Sequence, residues 1–123
     1  MALLWNHAIP MFVKCLKSLP NLHTLEIGRA DCHMSTTALE SALKRVKLPQ
    51  IKTLIIAPNT YPLIQHCGNV EGVDCVTWDG TLVTDYFLQA LASIQDSKIK
   101  RLAIPLVFPE NPPGRRFSTL YYN

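Results

Sequence analysis

At 123 residues the chain has the length of one domain, and its 48% hydrophobic content excludes disorder by composition. The net charge of +3 comes from scattered cations, without the dense basic stripe and interleaved aromatics of a nucleic-acid-binding surface. No apolar run approaches the roughly 20 residues of a membrane span, and the apolar start, Met1 to Trp5, lacks the basic flank of a signal peptide.

Residues 1–10 read as the remnant of a preceding unit, interrupted by Asn6, His7 and Pro10. Phe12, Cys15, Leu16 and Leu19 then recur at helical spacing, which predicts a helix near 11–18 that Pro20 stops. A strand near 24–27 and a polar loop over 28–36 follow. Thr37 and Glu40 form a capping box opening a helix near 38–47. Leu39, Ala42, Leu43 and Val46 share one face of that helix, and Lys44, Arg45 and Lys47 load its last turn, where cations suit the dipole. The most apolar strand is predicted near 53–57, turned by Pro58-Asn59 into a short helix near 61–67. Next comes a strand near 72–76, weakened by Gly72.

Trp78-Asp79-Gly80-Thr81 reads as a turn, and Thr84 or Asp85 can cap a helix near 85–95 with Phe87, Leu88, Leu91 and Ile94 on its buried side. A strand near 100–104 ends at Pro105. Residues 105–116 hold four prolines, Gly114 and Arg115-Arg116, so they read as a loop, and 117–122 opens an element that never finishes. Both ends look cut, as in a fragment of a longer protein: one domain, 1–123, with its regular part over 11–108.

The predicted strands are versions of one another. Calling Leu22, Leu25 and Ile27 positions 1, 4 and 6, the same places hold Ile51, Leu54 and Ile56, then Val70, Val73 and Cys75, then Ile99, Leu102 and Ile104, at offsets of 29, 19 and 29 residues. This is the L-x-x-L-x-L pattern of leucine-rich repeats, whose period is about 20–29 residues. Those repeats usually carry Asn or Cys three residues beyond position 6; here the places hold Ala30, Asn59, Trp78 and Val107, so only Asn59 conforms and the array is irregular. The phrases LPNLHTLEI, from Leu19, and LPQIKTLII, from Leu48, resemble F-box/leucine-rich-repeat-like proteins of fungi. The resemblance implies an α/β, leucine-rich-repeat-like solenoid of four parallel strands alternating with helices. It also implies the substrate-recognition arm of a cullin-type ubiquitin ligase; residues 1–18 are too short to supply the F-box itself.

Stacked strands leave rows of side chains facing outward. Position 3 gives Thr24, Thr53, Gly72 and Arg101; position 5 gives Glu26, Ile55, Asp74 and Ala103. From these, Thr24, Glu26, Thr53, Ile55, Asp74 and Arg101 form the expected partner-binding face, whose mixed charge around Ile55 suits a protein. A metal or thiol site would draw on Cys32-His33, His66-Cys67 and Cys75, but adjacent side chains on an extended loop point apart, so each pair offers one good ligand. A nucleophilic Cys32 or Cys67 would need an activating histidine and an orienting carboxylate, and no catalytic signature surrounds either. No two cysteines stand as C-x-x-C, and Cys15 and Cys75 occupy apolar positions, which favours a reducing compartment, cytoplasmic or nuclear.

The expectation is therefore a protein-interaction scaffold without catalysis, cofactor, metal, nucleic acid or membrane as partner, with self-association through uncapped ends as an additional expectation. The alternatives are a small thiol or metal-dependent enzyme, and a truncated array without independent function.

Overall fold

The in-phase apolar triplets become neighbouring strands. The structure, a computed structural model, describes residues 2–27, 35–76, 85–94, 98–110 and 114–122, with side chains for those between 8 and 104. Strands β1 (Thr24–Glu26), β2 (Thr53–Ile56), β3 (Gly72–Cys75) and β4 (Arg101–Glu110) lie side by side in chain order and pair in parallel. Helices α1 (Ala2–Lys17), α2 (Thr36–Leu43), α3 (Pro62–His66) and α4 (Asp85–Ala92) alternate with them. The fold is thus α/β, with four parallel strands alternating with helices as the sequence predicts.

The register is the one the sequence alignment implies. Leu25 pairs with Leu54, Leu54 with Val73, and Val73 with Leu102. Period-two geometry turns positions 4 and 6 to one face of the sheet. Accordingly Leu25, Leu54, Val73, Ile27, Ile56, Cys75 and Ile104 are buried, and Leu102 is partly buried against them. A backbone motif repeats in the same phase. The carbonyl at position 2 of each unit accepts from the next unit's N–H groups at positions 2 and 3: His23 from Lys52 and Thr53 (2.7 and 3.0 Å), Lys52 from Glu71 and Gly72 (2.7 and 3.1 Å), Glu71 from Lys100 and Arg101 (2.7 and 3.0 Å).

A second ladder runs through the residue before position 1. The Gln50 amide donates to the Leu16 carbonyl at 2.9 Å, the Asn69 amide to the Pro49 carbonyl at 3.1 Å, and the Lys98 ammonium to Asn69 Oδ1 at 2.8 Å. These groups tie successive units where the chain enters each strand. The helices pack on their neighbours in sequence, α1 on α2, α2 on α3 and α3 on α4. Polar contacts reinforce that layer: Tyr61 donates to Glu40 at 3.2 Å and stacks on Tyr86 at 6.2 Å, while Gln65 donates to Ser93 at 3.3 Å.

Several expectations need correction. Helix α1 runs through Pro10 instead of beginning after it. Proline removes one helical hydrogen bond, and burial of Ile9, Val13 and Leu16 at i, i+4, i+7 offsets that loss. The buried face is turned by about one residue from the predicted one, leaving Cys15 and Leu19 exposed and Phe12 partly buried. Ser35, not Thr37, caps α2, accepting from the Ala38 N–H at 3.2 Å, and Glu40 is taken by Tyr61. That helix stops at Leu43 because Arg45 adopts the left-handed φ of 64°, so Lys44, Arg45 and Lys47 lie in the following turn. In α4, Leu88 is exposed and Ala90 is buried instead. The predicted turn at 78–81, the cap at Thr84 and the loop over 28–34 lie outside the described residues.

The largest correction concerns residues 105–116. Strand β4 continues to Glu110 and pairs antiparallel with β5 (Gly114–Tyr122), from Leu102 opposite Tyr122 to Glu110 opposite Gly114. Proline is tolerated where its nitrogen faces no ladder partner. Arg101 directs its N–H to β3, and alternation puts the nitrogens of Pro105 and Pro109 on that same edge. Pairing with β3 ends at Ala103, so neither proline breaks the ladder to β5.

Burial ranks the residues. Substitution of Leu54, fully buried in the interior strand β2, by Ala is expected to cost about 2–5 kcal/mol of stability. Exposed Leu88→Ala should stay within ~0.5 kcal/mol. Urea unfolding of both variants checks the contrast.

Candidate functional site

Alternation that buries positions 4 and 6 presents positions 3 and 5 on the opposite face of the sheet. The register sets Thr24 beside Thr53, Gly72 and Arg101, and Glu26 beside Ile55, Asp74 and Ala103. Thr24, Glu26, Asp74 and Arg101 are exposed, and Thr53, Ile55 and Ala103 are half-buried. The six residues expected to form a partner face therefore share one face.

Arg101 shapes the centre of that face. Its Nη2 donates to Thr53 Oγ1 at 3.4 Å, reaching from β4 across β3 to β2. Two strand spacings are about 9.6 Å, so the side chain must lie flat over β3. Gly72 occupies the strand beneath: a Cβ there would meet Arg101 Nη2 at 2.9 Å. The glycine read from sequence as a weak point in the strand is what leaves room for the guanidinium. A shallow groove of about 230 Å³ results, lined by Thr53, Ile55, Gly72, Asp74, Arg101 and Ala103 among others. Asp74 and Arg101 stand along one groove, cation near the start of the strands and carboxylate two residues further on, and no ion pair joins them among the described residues.

The cysteine-histidine groups do not assemble. Cys32 and His33 lie outside the described residues. Among the described residues no group of three or more His, Cys, Asp or Glu side chains is gathered to hold a metal ion. Cys67 is fully buried, and burial pushes its thiol up to about 12; Cys75 is pushed up to about 12 by burial and then by the neighbouring Asp74 carboxylate. A thiol held neutral is a poor nucleophile. His66 does not face Cys67 as a base; its Nδ1 lies 2.9 Å from the Val46 carbonyl.

Sequence reasoning missed a second concavity, a cleft of about 460 Å³ lined by Arg45 to Pro49 and by Gln65, His66, Gly68 and Asn69. The one signal in the sequence is the basic run Lys44-Arg45-Val46-Lys47; the left-handed turn at Arg45 that takes it out of the helix carries no glycine to announce it.

Reference thiols ionise near 9.0, and Cys67 and Cys75 near about 12 in the fold. Between those values the folded chain holds protons that the unfolded chain has released, so stability falls as pH rises through that window and is insensitive to these groups below it. Denaturant unfolding at increasing alkaline pH should show the decline, and the Cys67→Ala, Cys75→Ala double variant should flatten it. At neutral pH a thiol reagent should modify exposed Cys15 and spare both buried thiols.

No described helix is long and apolar enough to cross a membrane. No protein-family model, curated protein or solved structure matches this chain.

Proposed function

We propose that the chain is a leucine-rich-repeat-like interaction scaffold whose open strand face binds another protein. The observation that carries this reading is a parallel sheet with side chains at Thr24, Glu26, Asp74 and Arg101 left exposed on one face. Parallel sheets are usually covered on both faces, so an uncovered one is a surface available to a partner. Its groove offers Arg101 to a carboxylate, Asp74 to a cation and Ile55 to an aliphatic side chain. In-phase parallel pairing of the units, the position-2 carbonyl motif and the neighbour-to-neighbour helix packing support the leucine-rich-repeat part of the reading.

The F-box resemblance extends the proposal: the bound protein is the substrate of a cullin-type ubiquitin ligase. That extension rests on the LPNLHTLEI and LPQIKTLII segments.

Affinity capture with the chain as bait tests the face. Ile55→Arg and Asp74→Lys should each lose a set of proteins that wild type and Lys17→Glu, an exposed change on α1, both retain, with circular dichroism confirming that all variants fold. For a purified partner, either face variant should weaken Kd by about thirtyfold, the size of a hot-spot loss. Retention of every partner by both face variants overturns the reading. For the ligase extension, deletion of the gene should lengthen the partner's lifetime.

A further inference from the structure

The cleft beneath α2 and α3 has a composition unlike that of the strand face. One wall is the chain descending from α2, where Arg45 at φ 64° turns it toward Pro49; the other is the end of α3 with Gly68 and Asn69. Arg45 and Lys47 are both exposed, and no acidic side chain is among the lining residues. Lys98 approaches the same rim through its 2.8 Å bond to Asn69 Oδ1. His66 lines the cleft with its Nδ1 held at 2.9 Å by the Val46 carbonyl. A carbonyl only accepts, so Nδ1 carries the proton and Nε2 remains for a second partner. The exposed apolar surface of the cleft is Pro49, with Val46 and Leu48 buried behind it. At Gly68 an added Cβ would meet nothing within 4 Å, so the space before it is open.

We propose that this cleft binds a small-molecule phosphate monoester. Arg45 and Lys47 take the phosphate, and the organic body lies against Pro49. A phosphate monoester carries about −1.5 to −2 charges, which matches two cations better than a single carboxylate does. Charge-assisted hydrogen bonds from such groups are the strong ones. The volume, about 460 Å³, falls within the roughly 300–1,000 Å³ of small-molecule sites. The site lies outside the strand face, so its success or failure is independent of the protein-partner reading.

The isotope-labelled 123-residue chain is titrated with inorganic phosphate, phenyl phosphate, benzoate and a phosphoserine peptide, and the amide signals of Lys47, Gly68 and Asn69 are followed. Phenyl phosphate should move these signals at lower concentration than inorganic phosphate or benzoate. Lys47→Gln should weaken it about tenfold, as expected for loss of one charge-assisted contact. Gly68→Leu should abolish binding by filling the mouth, with an unchanged unfolding midpoint; if that variant does not fold, Lys47→Gln, at an exposed position, carries the test. Three results overturn the proposal: no shift of these amides at millimolar phenyl phosphate, full affinity in the variants, or tighter binding of the phosphoserine peptide, which would assign the cleft to a phosphoprotein.

Discussion

The structure depends on one constraint: the row Leu25, Leu54, Val73, Leu102 must face the helices in every strand at once. Side chains alternate with period two, so a slip of one residue in any strand would send its apolar set outward and its polar set into the core. Every other regularity follows that row. The position-2 carbonyls line up because the rows do, and each serves two N–H groups of the next strand. A parallel pair needs a crossover, and the helix that supplies it buries the same apolar face. Sequence periodicity, hydrogen bonding and burial therefore select the same register, which is the consistency expected of a sequence that specifies one fold.

This explains which parts were legible. Four apolar triplets in phase are enough to place β1 to β4 and their pairing, because burial of each depends on the next. Helix limits were less legible, because local signals compete. Thr37 with Glu40 is a sound capping pattern, but Ser35 also fits, and Tyr61, 21 residues further on, draws Glu40 away. Pro10 is a helix breaker by itself, yet Ile9, fully buried, holds that turn in place. Strand β5 could not be read from the repeat, since it is no part of it. The prolines argued for a loop, and only their parity relative to Arg101, a property of pairing, makes them compatible with a strand.

The polar groups show the same division. Leucine-rich repeats place a turn-binding Asn or Cys three residues beyond position 6, and here only Asn59 stands there. The structure uses the residue before position 1 instead, through Gln50, Asn69 and Lys98. Asn21 occupies the equivalent place in the first unit, so the row Asn21, Gln50, Asn69, Lys98 is visible in sequence once the apolar phase is fixed. The side chains differ in length and in what they reach: Gln50 and Asn69 bond backbone carbonyls, and Lys98 bonds the Asn69 side chain itself. The first two rungs tolerate such exchange because what they satisfy is backbone, which every residue supplies.

Both candidate surfaces arise where the repeat is broken. In the outward row Thr24, Thr53, Gly72, Arg101, the missing side chain at Gly72 lets Arg101 lie down, and the groove forms beside it. In the helical layer, the unit between β2 and β3 is ten residues shorter than its neighbours, 19 against 29. Its α3 has five residues, after which Cys67 to Val70 descend directly to β3. The longer descent from α2, turned by Arg45, does not follow the same path, and the cleft opens between the two. A strictly regular array would fill both places with equivalent side chains from each unit. Periodic residues thus fix the frame, and the exceptions, Gly72, Arg45 and the short unit, fix where that frame can hold something else.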